Sequence, residues 1–306
     1  VGLLQMFIVP YDFLKHFGYQ KNVTIPPFFT IDDQVGKLRI ASTLRGPNPL
    51  GVYLLLPLLI WIQQLKQSIA GKLSRKIMTS SVLLVATVIV LYGSHSRGAW
   101  LGAAAAALCW AVVTLPRRWK VILVVAVIPF GLVSGLLIYQ YRNTTFVQDV
   151  LLHDNPVEGG DISSNTGHLD SLKAGIQDIR RSPLTGCGPG CAGPSSVYNK
   201  NGAKIAENYF IQTAQESGLI GLTILLTIFG VIGLRLVQSS ADPIHSVLLA
   251  IFVGINVASL LAHAWSDDTI AYLWWGLAGI LIGSYSRLDS ETASATHRHT
   301  TDLRIS

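Results

Sequence analysis

Seven apolar stretches dominate this chain: about Leu50–Leu65, Ile77–Gly93, Ala99–Leu115, Val121–Gln140, Gly218–Leu234, Ile244–Ala264 and Ile270–Tyr285. Each approaches the roughly 20 residues that a helix needs to cross the hydrocarbon of a bilayer. Half of the residues are hydrophobic, 13% are charged, and the mean hydropathy is +0.45. A soluble domain carries about 25% charged residues, so the chain reads as an integral membrane protein. The expected fold is all-α: a polytopic helix bundle of about seven spans and a partial first helix, with a long external loop containing an amphipathic helix. Val1–Val9 is too short to span and reads as the end of a helix whose beginning, with earlier spans, lies upstream. The membrane domain is expected over 1–285, followed by a polar, disordered cytoplasmic tail over 286–306.

Short loops set the orientation. Lys66, Lys72, Arg75 and Lys76 occupy one, and Arg117, Arg118 and Lys120 another. Arg235 and Arg287 mark two further ends on the same side. The positive-inside rule makes that side cytoplasmic. The external parts are then the segment 10–48, the turn around Arg97, the loop 141–206 and the turn Trp265–Thr269. A multi-pass protein of the cell (inner or plasma) membrane is expected, with its working face periplasmic or extracellular. The net charge of +6 is spread over loops and excludes a nucleic-acid partner. Trp265, Tyr272, Trp274 and Trp275 suit an interfacial belt. Pro57 and Pro129 are expected to kink their helices. Cys109 reads as a buried thiol. Cys187 and Cys191 can pair in an oxidising compartment, but one pair four residues apart carries little weight, and they read as free thiols.

Ionisable groups avoid the spans and collect at the external ends, where Arg97, Glu207, His263, Asp267 and Asp268 stand. Asn256 is the one strongly polar side chain near a span centre. Ion-coupled transporters place such groups at the midplane, so this distribution points to chemistry at the membrane surface. Arg97 has two readings. It snorkels to the interface, which spacing alone slightly favours, or it clamps an anion with its planar fork, helped by N–H groups at Gly98.

In the long loop, Leu169, Leu172, Ile176 and Ile179 recur at helical spacing, with Asn165 or Thr166 as N-cap and Pro183 as stop. Such a helix can lie along the membrane surface. Arg180 and Arg181 complement its C-terminal dipole, and His168 either meets a phosphate or sits beside the cap. Gly188–Ser195 lacks the lysine of a phosphate-binding P-loop. Its glycines read as a tight turn that lets backbone approach a ligand or a helix. Asn208, Gln212, Gln215 and Glu216 form a polar stripe at helical spacing. It faces either a wet cavity or neighbouring helices.

Four stretches, in this order, resemble the O-antigen ligase-like membrane glycosyltransferases of bacteria. They are Arg45–Gly51, Ser96–Trp100, Pro183–Gly190 and Glu207–Gly221 with its Asn-Tyr-Phe-x-Gln-x-x-x-Glu-x-Gly-x-x-Gly pattern. The resemblance covers the whole chain and implies transfer of a glycan from a polyisoprenyl-diphosphate donor to a glycolipid, glycan or protein acceptor, with no metal and no nucleotide cofactor. It implies that Arg97 binds the diphosphate and steadies it as leaving group, with Arg45 and His168 beside it. The family often has arginine where His168 stands and histidine where Glu207 stands. Glu207 would then be the general base on the acceptor hydroxyl, with Asn208 and Gln212 in the substrate site. Within the family the alternative is a polysaccharide polymerase. From other classes the alternatives are a solute transporter and a catalytically dead scaffold.

Overall fold

The computed structural model describes residues 1–20, 25–31, 34–144, 147–148, 164–199 and 204–284, without the side chains of 34–37 and 164–168. The architecture is helical. Helix α1 (Gly2–Phe7) is followed by α2 (Pro47–Tyr53), α3 (Leu55–Ala70), α4 (Ser74–Gly93), α5 (Arg97–Thr114) and α6 (Arg117–Gln140). Then come α7 (Ser164–Arg181), α8 (Tyr209–Gln238), α9 (Pro243–Ala258) and α10 over 268–284. Five of these helices, with α2 and α3 counted as one, are long and apolar enough to cross a membrane, and α9 is a shorter apolar helix. The chain is a multi-pass membrane protein.

Several expectations are corrected. The external segment carries a small two-stranded antiparallel hairpin, β1 (Phe29–Ile31) and β2 (Gln34–Arg39), beside a bundle that is all-α as expected. The first long span is broken at Leu54. Pro57 supplies no N–H to the Tyr53 carbonyl, and its ring crowds that carbonyl. Pro129, by contrast, lies within an unbroken α6. Helix α7 already includes Asn165 and Thr166, so neither is its cap. Helix α9 ends at Ala258, not Ala264, because the Ser259 carbonyl accepts the Tyr209 N–H (2.9 Å) from the start of α8. Asn256 is therefore in the last turn of α9. Its Nδ2 donates to the Phe252 carbonyl and its Oδ1 accepts from Trp265 Nε1.

The tryptophans do not form a belt either. Trp265 and Trp274 are buried in an aromatic core with Phe229, Phe252 and Trp275, and Tyr272 alone of the four expected belt residues is strongly exposed. Edge-to-face pairs such as Trp265–Trp274 add about 0.5–1.5 kcal/mol beyond burial, which explains why these rings gather inside. Cys187 and Cys191 form a disulfide. Cys109 is a half-buried free thiol on α5.

Between helices, the closest packing joins α5 to α9. A Cβ on Gly102 would lie 2.6 Å from the Gly254 carbonyl oxygen, and one on Gly254 would lie 2.7 Å from the Gly102 oxygen. Gly98, Gly102 and Ala106 thus meet Gly254 and Ala258 in a seam of small residues spaced by four. Lipid gives helices no hydrophobic reason to associate, so close backbone approach supplies dispersion contacts. The seam is antiparallel and places the N-terminus of α5 beside the C-terminus of α9. At the opposite end, Lys66 Nζ donates to the Thr114 carbonyl (3.0 Å) and Lys120 Nζ to the Val113 carbonyl (3.2 Å). The basic short loops therefore share one end of the bundle.

Candidate functional site

At the end away from those basic loops, four connections converge. Gly98 packs on the Ala258 carbonyl and on Leu261. The Tyr209 N–H donates to Ser259, and Asn208 Nδ2 donates to the Leu260 carbonyl (3.1 Å). The turn 258–261 thus anchors both the residue after Arg97 and the residue after Glu207. On the other flank, a Cβ on Gly51 would meet Ala99 at 2.6 Å and Ser94 and Ser96 at 3.1 Å, which seats α2 on the turn 94–96. Arg45, just before α2, pairs with the buried Asp267 (Nη2–Oδ2 3.2 Å). Asp267 in turn accepts the Thr269 N–H at the start of α10.

Local backbone explains how two key residues are presented. Ser96 caps α5 by accepting the Ala99 N–H, so Arg97 is the first helical residue. Glu207 has a φ of +48°, a region that non-glycine residues seldom enter. Residues held there cluster at functional sites, where surrounding structure compensates the strain. Asn208 caps α8, its Oδ1 accepting from Phe210 and Ile211 N–H. That side chain is engaged in structure on both its oxygen and its nitrogen.

The glycine-rich turn approaches a helix. The Cys187 N–H donates to the Gln215 carbonyl (2.8 Å), the Gly188 N–H to Glu216 (2.9 Å) and the Leu219 N–H to Pro183 (2.8 Å). These bonds need α8 to open, and it does so at Gly218, where φ is +66° and ψ is −171°. Any Cβ at Gly218 would overlap the Leu184 carbonyl. The docked turn and α8 enclose a cleft of about 560 Å³ whose walls include Pro189, Tyr209, Gln212, Glu216 and Trp265. The polar stripe divides accordingly. Gln212 and Glu216 face the cleft, while Gln215 Nε2 donates to Asp178 on α7 (3.3 Å). Asp178 also pairs with Arg181 (3.3 Å) and Lys204 (3.0 Å), which gives Arg181 a structural partner.

The structure thus brings Arg45, Arg97, Glu207, Asn208 and Gln212 to one end of the bundle. The His168 side chain lies outside the described residues. Sequence reasoning missed Arg39, whose Nε donates to the Ser94 carbonyl (3.0 Å) and whose Nη2 donates to Asn48 (2.8 Å). It placed Glu216 in a stripe facing either a wet cavity or neighbouring helices but did not name it as a site residue, and Glu216 lines the cleft. Asp267 had no signal beyond its position at the rim. Among the described residues, no three His, Cys, Asp or Glu side chains stand together as a metal would need.

Two comparisons bear on this arrangement. Residues 82–226 match the family model described as O-Antigen ligase. Over that stretch the chain is similar to the O-antigen ligase family. It is 29% identical to the O-antigen ligase of Salmonella typhimurium (strain LT2) over 209 residues, which cover 60% of this chain and 49% of that relative. The chain therefore spans about half the length of the curated relative it matches. The matched family region contains Arg97, the loop helix, the glycine-rich turn and Glu207–Gly221, so three of the four stretches that convey the resemblance lie in it.

Two histidines at this rim have lowered pKa values. Burial, and then the Arg39 guanidinium, lower the pKa of His95. Burial pushes His263 from 6.5 down to about 4, with neither ring nitrogen hydrogen-bonded among the described residues. The folded pKa of His263 lies below the unfolded one, so between about 6.5 and about 4 the unfolded chain binds a proton that the folded chain refuses. Stability must therefore fall as the pH is lowered through that window. Melting of the detergent-solubilised chain, followed by tryptophan fluorescence, should show a midpoint dropping by several degrees across it. His263→Leu should flatten the dependence, and an unchanged slope in that variant would assign it to other groups.

Proposed function

We propose that this chain is a glycosyltransferase that moves a glycan from a polyisoprenyl-diphosphate carrier to an acceptor hydroxyl at the external face of a bacterial cell membrane. The supporting observation is that Gly98 and Asn208, the residues next to Arg97 and Glu207, are both anchored on the turn 258–261, opposite the basic loops. In the proposed step, the Glu207 carboxylate removes the proton of the acceptor hydroxyl. The hydroxyl oxygen bonds to the anomeric carbon as the bond from that carbon to the phosphate oxygen breaks. The electron pair leaves with the diphosphate, whose charge the Arg97 fork receives. Attack opposite the leaving group inverts the anomeric configuration. Arg45, held in place by Asp267, extends the phosphate site. Surface glycoconjugates compared by mass spectrometry, with and without the gene, test the proposal. Loss of one glycan from its acceptor is expected. A shortened ladder of repeats would identify a polymerase in place of a ligase. An unchanged glycan profile, with solute uptake into liposomes, would replace both by a transporter.

A further inference from the structure

The proposed reaction uses Arg97 and Glu207 but leaves the cleft beside α8 without a role. Its chemistry is distinctive. Tyr209, Gln212 and Glu216 follow one another along one face of α8, and the largely buried Trp265 also lines the cleft. Among the described residues that line it there is no lysine or arginine, a composition that favours a neutral ligand over a phosphate. Gln212 is only 8% exposed, and its Oε1 has no hydrogen-bond partner among the described residues. A buried amide oxygen left unpaired is costly and asks for a donor. Gly193, at a φ of +68°, lies directly against this amide and fixes its position. Glu216 Oε1 accepts the Gly190 N–H (3.1 Å) and approaches Gln212 Nε2 (3.5 Å). A carboxylate has about four acceptor sites, so capacity remains for hydroxyl donors. A cleft of about 560 Å³ is within the common range for ligand sites, roughly 300–1,000 Å³.

Resting on the glycosyl-transfer reading, we infer that this cleft is a sugar-ring subsite, with Gln212 and Glu216 binding ring hydroxyls and Tyr209 and Trp265 meeting the ring's apolar surface. An amide oxygen, a carboxylate and two aromatic rings, with no cation among the described lining residues, match a neutral polyhydroxylated ring. The diphosphate would remain with the arginines. The sugar belongs to the donor glycan or to the acceptor glycan, and the two share this chemistry.

Saturation-transfer NMR on the full chain in detergent micelles tests binding directly. The probes are methyl α-glucopyranoside, methyl α-galactopyranoside and methyl N-acetyl-α-glucosaminide. At least one should receive saturation, and Gln212→Leu or Glu216→Gln should reduce that transfer about tenfold. Arg97→Ala should leave it intact, which separates sugar binding from turnover. No transfer to any probe, or equal transfer in both cleft variants, overturns the subsite. Tryptophan-fluorescence melting checks the fold, and Gln212→Leu carries the test alone if Glu216→Gln does not fold. Steady-state kinetics then distinguish the source. A KM raised for the lipid-linked donor assigns the ring to the donor, and one raised for the acceptor assigns it to the acceptor. If the wild-type chain binds the sugar but transfers no glycan, the glycosyl-transfer reading fails while the subsite stands.

Discussion

Arg97→Ala should lower glycan transfer ~10²–10³-fold, the usual consequence of removing one charged or hydrogen-bonding group from a developing anion. The membrane content and melting point of the protein should barely change. Arg97 is the first residue of α5, and a cation at a helix N-terminus opposes the helix dipole. Its position there does not serve helix stability, and Ser96 still caps the helix without it. Lysine should restore only part of the activity, because its point charge lacks the bidentate fork. Glu207→Gln should cost ~10²–10⁴-fold by removal of the base, with the left-handed backbone at that position kept. The assay is transfer from a polyisoprenyl-diphosphate-linked oligosaccharide in membranes. Full activity in Arg97→Ala would return that residue to interfacial snorkelling, and full activity in Glu207→Gln would remove it as base.

Sequence reading located most helices because lipid imposes a simple rule: a long apolar run has one available conformation. The loop helix was equally legible from Leu169, Leu172, Ile176 and Ile179, and α7 covers them. The end of α9 was not. Residues 259–264 remain largely apolar, and the helix stops because the Ser259 carbonyl is engaged by the start of α8, a partner 50 residues earlier in the chain (259 − 209). The tryptophans misled for a related reason. Their amphipathic chemistry fits an interface, but the indole N–H groups of Trp265 and Trp274 find Asn256 and the Leu248 carbonyl inside the bundle. The glycine-rich turn showed that something approaches closely. Its partner, the opened backbone of α8 at Gly218, emerged only in three dimensions. The cleft formed by that docking was therefore hidden, although Gln212 and Glu216 were visible as a stripe.

Gly102→Leu should disable the protein without touching any residue at the rim. The Gly102 Cβ direction points at the Gly254 carbonyl oxygen 2.6 Å away and at the Ala258 Cβ 3.2 Å away. Backbone cannot yield as a flexible side chain can, so α5 and α9 must separate. Overpacking of this kind costs about 1–3 kcal/mol, and the lost interhelical contacts add to it. The displacement also reaches the rim, because Gly98 meets Ala258 and Leu261 one turn further along the same seam. Arg97 would move relative to the turn that anchors Glu207, and small misplacements of reacting groups are costly to rate. Transfer should therefore fall more steeply than the melting point does. Gly131→Leu is the control, since a Cβ there meets nothing within 4 Å and α6 has no buried residues. That variant should keep both its melting midpoint and its activity. Equal behaviour of the two variants would mean that the α5–α9 seam does not hold the rim together.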